Sequence, residues 1–156
     1  MLKLIYFNGR GLAETSRLIL AAAGVNYEDF RYPIKVLNWK TYDMIREEFD
    51  KDKKSGLLWK SMGKLPFLEV DNRVISQSKA IERYLAKRFN LMGDTDEEAA
   101  LIDSYCEYIR DFKNEYQKAK KSEDREQSLN IWFNKTLPEK LSLFENILLN
   151  NKDFQN

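Results

Sequence analysis

The sequence predicts an α/β domain on a mixed sheet, in the order β-α-β-α-β-β-α, followed by an all-helical region with two long helices. Three observations predict it. A short apolar run, residues 2–7, leads through a helical pattern into a second strand pattern, which favours parallel pairing. Residues 67–70 and 73–76, joined by Asp71-Asn72, read as a hairpin that runs directly into a helix. Beyond residue 94, apolar residues recur every three or four positions for most of the remaining chain.

The first strand, LKLIYF, is rich in branched and aromatic residues and stops at Asn8-Gly9-Arg10-Gly11. From Leu12 to Ala23, the residues Leu12, Ala13, Ser16, Leu20 and Ala23 share one helical face, and Gly24 closes the helix. A second strand, Tyr27 to Tyr32, is ended by Pro33. In residues 34–62, Trp39, Tyr42, Ile45, Arg46 and Phe49 suggest a helix, and Asp50 to Gly56 a solvated turn. Leu65-Pro66 forces an extended approach to the hairpin, whose Asp71-Asn72 pair is a type I′ signal. The helix after the hairpin carries Ala80, Ile81, Tyr84, Leu85 and Phe89 at helical spacing. Its start, Gln77-Ser78, can hold a carboxylate or phosphate on unsatisfied N–H groups; alternatively, Ser76 or Ser78 simply caps the helix.

Residues 90–94 read as a linker between a first domain, 1–89, and a helical domain, 95–156. Thr95 with Glu98 is a capping box. Ile102, Tyr105, Ile109, Phe112 and Tyr116 then give the first long helix a continuous apolar stripe. Ser122-Glu123-Asp124 starts a second helix, and Pro138 inside it predicts a kink or a break.

Composition excludes more chemistry than it suggests. Lys plus Arg is 26 against 25 for Asp plus Glu, so a net charge of +1 gives no reason to expect nucleic acid or an anionic membrane. No apolar run is long enough to span a bilayer, and Met1 leads straight into a strand, which reads as cytoplasmic. The absence of histidine removes the usual zinc sites and every histidine-based triad, and a single cysteine, Cys106, makes no internal disulfide. There is no Cys-x-x-Cys for a redox protein, and the glycine spacing at residues 8–11 fits no phosphate or dinucleotide fingerprint.

Three anchors in this order resemble the cytosolic glutathione transferases, in particular the tyrosine-type classes that include the sigma class. They are residues 4–14, LIYFNGRGLAE, with Arg17 following; Gly63-Lys64-Leu65-Pro66; and Gln77-Ser78 with Ala80-Ile81 and Arg83-Tyr84-Leu85 behind it. The resemblance implies a thioredoxin-like first domain with a cis bond before Pro66. It makes Tyr6 the catalytic hydroxyl, donating a hydrogen bond to the thiolate of glutathione, the co-substrate. Leu65, before Pro66, would pair its backbone with the cysteinyl unit, as in strand addition. Gln77 and Ser78 would hold the γ-glutamyl end, and Lys64 and Trp39 the glycyl end, with Lys40 or Trp59 as substitutes for Trp39. Asp111 would reach glutathione in a partner subunit, implying a homodimer. Leu12 stands where a second arginine is common. The resemblance covers the first domain and only the beginning of the helical one, so the all-α domain is expected to be incomplete and the pocket for an apolar electrophile in doubt. The alternative function is a transferase-like module that binds glutathione or a protein partner without useful catalysis.

Overall fold

The computed structural model describes residues 1–38, 41 and 43–150. The chain divides into two units, one over Met1–Met92 and one starting at Gly93.

In the first unit, β1 (Leu2–Phe7), β2 (Glu28–Tyr32), β5 (Phe67–Val70) and β6 (Arg73–Ser76) form one sheet in the order β2-β1-β5-β6. β1 pairs parallel with β2 and antiparallel with β5, and β5 pairs antiparallel with β6. β1 is buried on both faces because its period-2 pattern is apolar on each. Leu2, Leu4 and Tyr6 face α1 (Glu14–Ala22) and α3 (Ser78–Arg88), packing with Ala13, Leu20, Leu68, Val70, Ile81 and Leu85. Ile5 and Phe7 face the other way, joining Tyr32, Phe49, Leu58 and Phe67. Each side chain fully withdrawn from water here contributes about 1.5–3 kcal/mol. The mixed sheet between two helical layers is the thioredoxin-like arrangement, and the Leu65-Pro66 bond is cis.

Two expectations need correction. The one helix expected after Pro33 is not formed over its described residues, Ile45, Arg46 and Phe49, while Trp39 and Tyr42 lie outside the described residues. The segment forms a hairpin, β3 (Lys35–Asn38) with β4 (Asp43–Ile45), followed by α2 (Glu47–Lys54), which occupies much of the supposed turn. α2 has one buried residue, Phe49, so it carries no stripe to read; its acidic first turn and basic last turn match the helix dipole instead. At the β5–β6 turn only Asp71 has positive φ (53°), whereas a type I′ turn requires it at both central residues. A single positive φ at the first central position is the requirement of type II′.

In the second unit the capping box is complete: the Thr95 hydroxyl accepts from the Glu98 N–H at 3.1 Å and Glu98 Oε2 accepts from the Thr95 N–H at 3.0 Å, opening α4 (Asp96–Lys120). Asp124 caps α5 (Arg125–Ile131) by accepting from the Gln127 N–H. The break expected at Pro138 takes the form of a π turn over Trp132–Thr136, just ahead of α6 (Leu137–Asn150). Proline lacks an N–H and its ring collides with the carbonyl four residues back, so the turn before it widens. The Leu137 N–H accordingly bonds to the Trp132 carbonyl, five residues back. Tyr108, Phe112 and Phe144 pack edge to face or tilted, with Lys140 over the Tyr108 and Phe112 rings and 3.0 Å from Glu115.

Candidate active site

Strand register brings the first-unit anchors to one end of the sheet. Ile5 pairs with Phe67, and Phe67 pairs with Ser76. Tyr6 is one residue beyond Ile5, Pro66 one residue before Phe67, and Gln77 one residue after Ser76. Three segments far apart in sequence therefore leave the sheet side by side, because β1 and β6 end where the antiparallel β5 begins.

Tyr6 stands half-buried at that end. Its hydroxyl oxygen accepts a hydrogen bond from the Leu12 N–H at 3.2 Å, in the 3₁₀ turn Gly11–Ala13 that precedes α1. A hydroxyl has one hydrogen to give and two lone pairs. Accepting from a backbone N–H leaves the phenolic hydrogen for another acceptor and polarises the O–H bond toward donation. Gly11 makes the approach feasible: its φ is +44°, and a Cβ there would lie 2.5 Å from the Tyr6 oxygen.

Gln77 is the N-cap residue of α3, with φ 73° and ψ 120°, a conformation a glutamine adopts only when its surroundings enforce it. Its carbonyl accepts the Ile81 N–H, but no side chain caps the helix. Ser78 is the first helical residue, and Ser76 ends β6 with its buried hydroxyl without a partner among the described residues. The simple capping role for either serine is therefore not realised: the N-cap position belongs to Gln77, whose side chain makes no capping hydrogen bond. Leu65 is half-buried and Pro66 buried, whereas Lys64 and Trp59 are exposed. Trp39 and Lys40 lie outside the described residues. Asp111 is exposed on α4, in the second unit.

Sequence reasoning quoted Arg17 but assigned it no role. Its side chain is 9% exposed and forms the hub of a network. Nε is 3.1 Å from Asp29 Oδ2, and Nη1 donates to the Gly9 carbonyl at 2.7 Å, to Glu14 at 3.3 Å and to the Arg10 carbonyl at 3.5 Å. Asp29 also accepts from Arg31 at 2.6 and 2.8 Å. Burial pushes the Tyr27 hydroxyl pKa up, and the Asp29 carboxylate adds to the rise. The available signal was a lone cation inside an apolar helix face, between Ser16 and Leu20.

Comparison with known proteins gives this geometry a family. The model of the glutathione S-transferase N-terminal domain matches residues 2–87. The hematopoietic prostaglandin D synthase of Gallus gallus is 37% identical over 153 residues, 97% of this chain and 69% of the relative. A class-mu 28 kDa glutathione S-transferase isozyme of Schistosoma japonicum is 36% identical over 121 residues, 74% of this chain and 51% of the relative. Among solved structures, a monomeric glutathione S-transferase of the hookworm Necator americanus is similar with a TM-score of 0.76 at 34% identity, covering 97% of this chain and 69% of that one. The chain thus spans about half to two thirds of the length of these relatives. The matched model takes in the whole Tyr6, Leu65-Pro66 and Gln77-Ser78 end of the sheet, and the chain belongs to the glutathione S-transferase family.

Proposed function

We propose that the chain acts as a tyrosine-type glutathione transferase, in which the Tyr6 hydroxyl stabilises the thiolate of bound glutathione. The observation that carries this reading is the Leu12 N–H on the Tyr6 oxygen, which commits the phenol to donate outward. Glutathione lies across the sheet end: its cysteinyl unit pairs with the Leu65 backbone, and its γ-glutamyl carboxylate meets the uncapped start of α3 at Gln77 and Ser78. Lys64 and Trp39 serve the glycyl carboxylate. A free thiol is mostly protonated at neutral pH; a hydrogen-bond donor to its anion lowers the pKa and releases the proton to solvent. The thiolate then forms a C–S bond to an electrophilic carbon of an apolar molecule, whose leaving group departs with the bonding electron pair.

The sigma-like assignment is supported by a sigma-class transferase of Fasciola hepatica, similar at 29% identity and a TM-score of 0.69. We further assign a cytoplasmic, detoxifying homodimer in which the partner's copy of the α4 aspartate, equivalent to Asp111, approaches the glutathione amino group.

Replacing Tyr6 by Phe should lower kcat/KM about a hundredfold, the loss typical of one oriented donor to a reacting anion. Glutathione affinity should stay within about twofold, since the backbone and α3 contacts remain. Steady-state kinetics with an activated aryl halide, paired with calorimetric titration of glutathione, separate the two; unchanged turnover would remove Tyr6 from the mechanism. The reading of a binding module without catalysis draws on the helical unit, where Phe133, Leu141, Leu143 and Leu149 are more than half exposed. Saturable glutathione binding with no turnover on any electrophile would favour it.

A further inference from the structure

We propose that Arg17 is a positioning residue that fixes the hydrogen bonding of the Tyr6 hydroxyl and, through it, the acidity of bound glutathione; this rests on the thiolate role of Tyr6 proposed above. The Tyr6 oxygen meets the Leu12 N–H only while residues 8–11 stay curled over the end of β1. That curl has few backbone ties of its own: Asn8 N–H to the Tyr32 carbonyl at 2.8 Å, Gly9 N–H to the Phe7 carbonyl at 2.7 Å, and Ala13 N–H to the Arg10 carbonyl at 3.3 Å. Arg17 Nη1 holds the carbonyls of Gly9 and Arg10, the two residues immediately before Gly11. Nε of the same side chain is anchored on Asp29 of β2, so the turn is referenced to the sheet rather than to solvent. The guanidinium also lies 6.0 Å from the Tyr6 ring centroid, where its charge favours the electron-rich phenol that a strong donor becomes.

Arg17 does not act by binding substrate. It is 9% exposed, and the hydrogen bonds it makes run to the protein's own carbonyls and carboxylates. A fork-shaped guanidinium is needed because two peptide carbonyls and a carboxylate must be reached at once from one side chain. A purely structural staple between α1 and β2 would change the melting temperature alone. A positioning role changes thiol ionisation, and only while Tyr6 has its hydroxyl.

The experiment compares wild type, Arg17→Met, Arg17→Lys, Tyr6→Phe and the Tyr6→Phe/Arg17→Met double variant. Two quantities are read: the ionised fraction of bound glutathione, from ultraviolet thiolate absorbance across pH, and the Leu12 amide resonance of the ligand-free protein. Asp29 keeps Arg31 as its partner in the Arg17 variants, so no buried carboxylate is stranded. Should Arg17→Met not fold, Arg17→Lys carries the same test, because lysine keeps the charge but loses the fork. The expected result is roughly tenfold less thiolate at neutral pH in the folded Arg17 variant, with near-normal glutathione affinity and a shifted Leu12 amide. In the Tyr6→Phe background the Arg17 change should have no further effect on ionisation.

Wild-type ionisation in the folded Arg17 variant overturns the inference, as does a loss of equal size with and without the Tyr6 hydroxyl. If wild type and Tyr6→Phe ionise glutathione equally, it is the thiolate role of Tyr6 that fails. The Leu12 amide then decides the remainder: a shift in the Arg17 variant upholds the positioning of the hydroxyl, and an unmoved resonance rejects it.

Discussion

At position 11 one hydrogen atom separates a working turn from a blocked one. A methyl group there would meet the Tyr6 oxygen at 2.5 Å, and the residue's φ of +44° is one that side chains rarely adopt. Gly11→Ala should push the phenol off the Leu12 N–H, cutting thiolate formation roughly tenfold and destabilising the fold by about 1 kcal/mol or more. Gly9 is the matched control: a Cβ there meets only Ile34 Cδ1, at 3.9 Å, and Gly9→Ala should leave both quantities near wild type. Thermal melts together with thiolate absorbance check the pair; equal effects at the two positions would deny Gly11 its special place. At this scale legibility was uneven. Tyr6, Leu65, Pro66, Gln77 and Ser78 belong to short contiguous motifs and could be named from them. Arg17 and Asp29 lie 12 positions apart on different elements, and only the α1–β2 crossover makes them neighbours.

Among the elements, α2 is held by few contacts, and one is a single hydrogen bond. The Tyr32 hydroxyl donates to Asp52 Oδ2 at 2.8 Å, tying α2 to the end of β2. Burial, together with that bond and the Asp52 charge, pushes the Tyr32 pKa up to about 12 from an ordinary value of 10.0. The folded state therefore favours the neutral phenol. Its contribution is complete below pH 10 and is lost as pH rises toward about 12. Tyr32→Phe should cost about 1 kcal/mol at neutral pH and should decline less steeply than wild type over that alkaline range. Melting curves at stepped pH test the sign; parallel declines would mean the bond contributes nothing. The elements that the sequence made legible are β1, β2, β5, β6, α1, α3 and α4, marked by short branched and aromatic runs or by helical spacing with turn and capping residues at their ends. The 33–62 stretch failed because Ile45, Arg46 and Phe49, three apparent members of one helical face, belong to the end of β4, the α2 N-cap and α2 itself. Charge, rather than apolar periodicity, marks the helix that exists there.

Taken as a whole, the chain pairs a first unit with two well-filled cores and a helical unit that leaves apolar side chains on its surface. Ile131 and Phe133 are 50% and 52% exposed, and Leu149 is 62% exposed. Such surface in a near-neutral chain favours self-association. Sedimentation should therefore give a dimer, and calorimetric titration should show saturable glutathione binding that weakens several-fold on Asp111→Ala. A monomer whose binding ignores that substitution would confine the site to one chain's first unit. The junction of the two units carries a separate implication. Gly93 has φ +75°, and a Cβ there would strike Glu98, whose carboxylate already ties the N–H groups of Asp94 and Thr95. The opening turn of α4 is thus finished off by residues within a few positions of it. Genes recombine most safely where a folded block ends and the next supplies its own termination. By that measure the stretch around residue 93 is a natural splice point, because the helix that begins there brings its own termination with it.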